Sequence, residues 1–221
     1  MKKLFAFITC FVMVAPLFAQ KRSSFSIFTG YGAYTIHGKY PGGGKFTLRP
    51  EESIVIATDY EFPISGNFYL QPGLMYIQKG ANFDSYLYMG QDYYGDVKLS
   101  YVVVPATIVF KPSLGKGKMI IGAGPFLGLG LGREAGVVQG HYNIRFKKNV
   151  SSAEIAENPF YYSPWDTGGN FILGYQLKSN FFIQLNGQVG MKRINPSVDH
   201  EWEGNAKHKN AGVVLLGGFR F

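Results

Sequence analysis

Residues 119–132, MIIGAGPFLGLGLG, constrain the fold more than any other stretch of the chain. Met119, Ile121, Ala123, Pro125, Leu127, Leu129 and Leu131 occupy alternate positions, and from Gly122 onward the positions between them are Gly122, Gly124, Phe126, Gly128, Gly130 and Gly132. Successive side chains of a β-strand point to opposite faces, so this strand would carry one continuous apolar face and one nearly bare face. A water-soluble sheet packs large side chains on its buried face. A membrane barrel turns its apolar face to lipid and fills a narrow lumen from the other. The second arrangement fits the glycines.

The same period of two recurs along the chain and predicts eight strands, at residues 24–35, 53–64, 68–80, 98–111, 119–132, 170–177, 181–193 and 211–221. The strand at 181–193 alternates most cleanly, with Phe181, Ile183, Leu185, Val189 and Met191 against Gln184, Asn186, Gln188, Gly190 and Lys192. Amides and cations are costly against lipid, so the polar set belongs inside. In strand four the apolar run at 101–104 blurs the alternation; Tyr101, Val103 and Pro105 are assigned outward. Pro72, Pro105 and Pro125 are all expected on the outward face, with a bulge or a missing ladder bond at each. Connections after strands one, three, five and seven are long, and those after two, four and six are short. The fold class is therefore expected to be all-β, a transmembrane eight-stranded antiparallel up-and-down β-barrel, with long extracellular loops and both termini periplasmic. Within the long connection after strand five, residues 151–157 are the one stretch expected to form a helical turn.

Residues 1–20 read as a signal peptide: Lys2 and Lys3, an apolar run at 4–14, and Leu17-Phe18-Ala19 as a cleavage site. Residues 21–221 then form one outer-membrane barrel domain. Cys10 lies in the signal, leaving no thiol in the mature chain. Without Lys2 and Lys3 the formal charge of +8 becomes +6, which suits outer-membrane lipid head groups or sugars as partners. The basic residues are scattered, which argues against nucleic acid.

With the strands placed, FYLQPGLMYIQKG at 68–80, SYVVVP at 100–105, GAGPFLG at 122–128 and the terminal GFRF mark a chain that resembles the outer-membrane β-barrel family of Bacteroidota-type bacteria that includes PorT. The resemblance implies the eight-stranded barrel and an outer-membrane address, and it carries over no catalytic residue. Phe221 also looks like the terminal signal read by the outer-membrane assembly machinery.

The glycines of strand five do not follow GxGxxG spacing, so they mark packing space rather than a nucleotide site. His37, His141, His200 and His208 fall in predicted loops without metal-ligand spacing. Neither a cofactor nor a metal is expected. No Ser near a His sits in a marked nucleophile turn, and a non-enzymatic envelope structural or interaction component is the favoured reading. The alternatives are an enzyme acting on lipid or peptide at the loop rim and an accessory subunit of a secretion or uptake complex. Loop aromatics suit an interfacial girdle and loop packing; Tyr93, Tyr94, Tyr161, Tyr162 and Trp165 are the candidate contacts for a protein or glycan partner. Inside the lumen, Asp59 and Glu61 on strand two and Arg220 on strand eight share the inward face near the periplasmic end, separated by strand one alone. An ion pair among them is expected, directly or through Gln71 and Tyr69.

Overall fold

Each short connection reverses the chain through a residue in the left-handed region: Gly66 (φ 55°), Gly115 (φ 57°) and Asn180 (φ 67°). Glycine and asparagine reach this region at low cost. The reversals sit at one end of an antiparallel barrel seen in a computed structural model of the chain, which describes residues 23–39, 43–88, 91–131, 134–137, 140–158, 160–198 and 207–221. The expected export signal at 1–20 lies outside the described residues. Eight strands build the wall: β1 (Ser24–Lys39), β2 (Arg49–Ser65), β3 (Phe68–Tyr88), β4 (Gln91–Phe110), β5 (Gly117–Gly130), β6 (Trp165–Gln176), β7 (Phe181–Gly190) and β8 (Lys207–Arg220).

Neighbours in sequence pair antiparallel throughout, β4 with β5 and β5 with β6 included. The sheet closes where β1 meets β8, from Ser26↔Arg220 to Lys39↔Lys207. Closure leaves no wall strand with an unpaired edge, so the backbone can cross hydrocarbon with its polar groups satisfied. The outward surface is apolar: Leu127, Leu129, Leu185, Val189 and Leu215 are 41–49% exposed, whereas Gln71, Gln184, Asn186 and Gln188 are 1–3% exposed. A soluble sheet would show the reverse.

Three expectations are corrected. The segment at 81–96 is not a loop, because β3 and β4 continue as a hairpin to Tyr88↔Gln91, with a register shift between Phe83 and Tyr86. From Ser85 to Tyr94 polar and aromatic residues follow no period of two, so the sequence gives no strand signal to read there. In β4 the faces are inverted: Tyr101, Val103 and Pro105 are buried inward, and Val104 and Ile108 are exposed. Both parities of 101–104 are apolar, so the local pattern could not choose. Thr107 and Lys111 share the parity of Tyr101 and carry the signal that decides it. Pro105 consequently faces the lumen, unlike Pro125.

The prolines cause ladder gaps without register shifts at those points. Pro72 is registered with Ala106, yet the β2 ladder is interrupted between Asp59↔Gly73 and Phe62↔Leu70. Pro105 is registered with Phe126 while the β3 ladder skips it, and Pro125 is registered with Gly169 while the β4 ladder skips it. A residue with no N–H can complete the ladder to one neighbour and break it to the other.

Aromatic side chains ring the turn end. Phe25, Tyr60, Phe62, Phe68, Phe181 and Phe221 are exposed there, and ring centroids lie 4.6 Å apart for Tyr60–Phe62, 4.8 Å for Phe68–Phe110 and 4.9 Å for Phe181–Phe219. Such a belt suits a membrane–water boundary.

Leu185 lies at the middle of β7 on the outward face. Leu185→Lys is expected to lower barrel stability by about 2–4 kcal/mol, measured by reversible denaturant unfolding in lipid vesicles. Lys116→Gln, exposed in the β4–β5 turn, should leave it unchanged within error.

Candidate functional site in the lumen

The cross-strand register at the turn end explains the first cluster. Ser26 of β1 is opposite Asp59 on one side and Arg220 on the other, so an acid, a hydroxyl and a base form one inward row. Arg220 Nε donates to Ser26 Oγ at 2.8 Å, and its Nη2 lies 3.6 Å from Asp59 Oδ1. Its Nη1 donates to Glu61 Oε2 and, at 3.2 Å, to Gln176 Oε1. Lys111, at the end of β4, completes the group by donating to Glu61 Oε2 at 2.9 Å and to Gln176 Oε1 at 2.6 Å. The structure thus brings Asp59, Glu61 and Arg220 together. Lys111 and Gln176 were missed as members, although both share the inward parity of their strands. Gln71 takes no part and finds no hydrogen-bond partner; Tyr69 contributes its ring, 5.5 Å beneath Lys111 Nζ. Two carboxylates and two cations leave the group neutral, the condition under which buried charges persist.

A second cluster lies toward the loop end. Lys79 Nζ is 2.9 Å from Asp166 Oδ2, and both side chains have 0% exposure. Asn210 Nδ2 donates to the same oxygen at 3.0 Å. The ammonium also sits 4.5 Å from the Phe126 ring centroid, 5.2 Å from that of Tyr34 and 5.4 Å from that of Tyr101, so three π faces replace part of its hydration. Between the clusters runs a chain of neutral groups. Tyr34 Oη donates to Gln188 Oε1 at 3.1 Å, Gln188 Nε2 to Asn170 Oδ1 at 3.2 Å, and Asn170 Nδ2 to Thr107 Oγ1 at 3.1 Å. A cavity of about 10 Å³ remains beside Gln71, Gln184 and Asn186, the size of a single water.

Glycines make room for the large rings. A Cβ on Gly212 would lie 2.3 Å from the Tyr34 ring, and one on Gly130 would lie 2.4 Å from the Phe146 ring. Phe146 belongs to a cap over the loop end. There Arg145–Phe146 pairs in parallel with Tyr161–Tyr162, and Asn149–Val150 with Ser197–Val198. Phe146 approaches the inward Tyr101 at 5.8 Å and Phe160 stacks on Phe83 at 6.4 Å. Of the candidate partner contacts, Tyr161 is buried and Tyr162 half-buried within the cap, while Trp165 opens β6 with an exposed outward side chain. The side chains of Tyr93 and Tyr94 lie outside the described residues, as do His200 and the side chain of His141.

The expected helical turn is α1 (Ser152–Glu157), capped by Ser151. Glu154 accepts from the Ser151 backbone N–H at 3.0 Å and from Lys147 Nζ, while the Glu154 N–H donates to Ser151 Oγ at 3.4 Å, a reciprocal capping box. Lys147 first, then the Ser151 amide, hold the Glu154 carboxyl down from its usual 4.5 to about 2. The Ser151 hydroxyl is thus committed to the cap. His208 packs its ring edge-on against Phe46 at 5.0 Å.

Two measurements test this geometry. Arg220→Ala leaves Glu61 short of its strongest partner and should cost about 3–5 kcal/mol of barrel stability, read as a lowered heat-unfolding midpoint in detergent; Arg220→Lys should recover part of it. Because the Glu154 carboxyl is depressed in the folded state, its contribution is complete above pH 4.5 and lost as pH falls toward about 2. Hydrogen-exchange protection of the Ile155 and Asn158 amides is therefore expected to collapse across that window in the wild type, and to be weak at every pH in Glu154→Gln.

A family model described as outer membrane protein β-barrel domain matches residues 18–194. Comparison with curated protein sequences found no match. Among solved structures, the attachment invasion locus protein Ail of Yersinia pestis, in complex with the heparin analogue sucrose octasulfate, is 16% identical with a TM-score of 0.42, over 91% of this chain and 100% of that one. Neisserial surface protein A is 8% identical with a TM-score of 0.48, over the same shares. With the family model spanning most of the chain, and a closed barrel whose wall is apolar outside and polar within, the protein belongs to the outer membrane protein β-barrel domain family.

Proposed function

We propose that this protein is a non-enzymatic envelope component of the outer membrane, which acts through its outer wall and loop end and not by passing solute. The observation that carries this reading is the filled lumen. Lys79–Asp166 and the Arg220–Glu61–Lys111 group occupy the two halves of the bore, a row of amides lies between them, and the cap covers the loop end. An eight-stranded barrel has room inside for side chains and little else. Opening a path would break at least one buried ion pair.

In this reading residues 1–20 direct export, and the exposed terminal Phe221, whose ring lies 4.9 Å from Phe219, is what the assembly machinery recognises. The finer likeness, to the Bacteroidota-type group that includes PorT, rests on the strand motifs alone and brings no role in secretion with it. Trp165 is the one described member of the candidate partner set that remains exposed.

The test is planar-bilayer recording of the purified, refolded protein. No stepwise conductance is expected from the wild type. Regular open-channel steps would overturn the filled-lumen reading, and turnover of phospholipid or peptide by the same preparation would overturn the non-enzymatic one.

A further inference from the structure

The loop end of β1 carries an unusual row of charge. Lys39 is directly opposite Lys207 of β8 on one side and Lys45, in the short strand Lys45–Thr47, on the other. Two positions toward the turn end, His37 lies between Lys209 and Thr47. Residues directly opposite across strands share a face and have closely spaced side chains. Three lysines in one row, with a fourth and a histidine below, therefore repel one another unless an anion lies between them.

All of them face outward. The odd positions of β1 and β8 include the exposed Phe25, Ile27, Tyr31, Val213 and Leu215, and 37, 39, 207 and 209 continue that parity. Lys45 joins them through a bulge. Pairing runs Tyr34↔Glu51 and then His37↔Thr47, so the chain leading into β2 holds one extra residue at this step. That residue exchanges the faces, as bulges do: Phe46 turns inward onto His208, and Lys45 turns outward. Lys39, Lys45 and Lys207 are exposed. The ion pairs among the described residues use other cations: Lys98, Lys111, Lys147, Lys79 and Arg220. Among the described residues, the outward carboxylate nearest along these strands, Glu52, is opposite Ala33, well below the row.

Height decides the occupant. A strand rises about 3.3 Å per residue and tilts about 40° in a barrel, so an apolar band about 25 Å tall that begins at Phe25 ends near Thr35. His37 and Lys39 stand just above it, where the phosphates of the surrounding leaflet lie. The row also points sideways along the membrane plane and is continuous with the lipid-facing wall, whereas a soluble polyanion would approach from above the cap. We infer that Lys39, Lys45 and Lys207, flanked by Lys209, form a binding site for the phosphorylated headgroup of an outer-leaflet lipid. This deepens the proposed envelope role and rests on the barrel standing in that membrane.

The experiment is native mass spectrometry of the full barrel in detergent, with phosphorylated lipid A or its dephosphorylated counterpart added. The wild type is expected to retain the phosphorylated lipid at least tenfold more than the neutral one. K39Q/K45Q/K207Q should abolish that preference, and K39Q alone should reduce it several-fold. K116Q/K118Q/K178Q, with its lysines at the turn end, should keep it. Equal retention by the wild type and the rim triple variant would overturn the site. So would inorganic phosphate or a heparin fragment competing the lipid away with the same dependence on these lysines, since either would assign the row to a soluble anion. Failure of the wild type to insert into vesicles as a heat-resistant barrel would instead overturn the envelope reading beneath it.

Discussion

The structure depends on backbone hydrogen bonding in a place without water. A peptide group facing hydrocarbon must find its partner within the protein, and β-strands meet that demand only when the sheet closes on itself. The β1–β8 pairing is thus the contact on which the others rest, because without it both terminal strands would present open edges. Closure then sets the diameter, and the diameter sets what the lumen can hold. The prolines show how much irregularity the wall tolerates. Each interrupts one ladder and keeps the other, so the barrel stays closed around Pro72, Pro105 and Pro125.

A narrow bore turns inward polar residues into a packing problem. Lys79 and Arg220 cannot reach solvent, so each is matched to carboxylates and further ligated by amides, hydroxyls or rings. Pairs of this kind add little net stability over an apolar filling. Their effect is on specificity: a slipped register would separate Arg220 from Glu61 and strand a charge in the lumen. The same physics makes the bore a poor pore. It leaves the outer wall and the loop end as the working surfaces, where the lysine row meets the lipid boundary.

Much of the site was legible because lipid imposes a strict rule on alternation. The inward parity of Asp59, Glu61 and Arg220, together with a count of strands between them, was enough to bring them together. The parity of Gln176 carried the same information, but Lys111, the last residue of strand four, shares the parity of Tyr101, Val103 and Pro105 and is assigned outward with them. Lys79 shares the parity of the inward Gln71 in the sequence, yet its partner Asp166 falls before the cleanly alternating part of β6, in a stretch that reads as loop. The cap was not legible: Tyr161 and Phe160 look like exposed loop aromatics until Phe83, Tyr101 and Phe146 are seen beneath and beside them.

By itself the sequence determined the barrel, the number of its strands, the end at which the chain turns sharply, and the face each residue of a two-toned strand presents, because the contrast between lipid and lumen is written at every second position. Tertiary structure alone decided the extent of the β3–β4 hairpin, the pairing of Lys79 with Asp166, and the turning of Lys45 to the outside. Each of these depends on register against a neighbouring strand or on a single extra residue at a bulge. Register is a relation between segments far apart in the chain, and where both parities are apolar, or both polar, no local pattern records it.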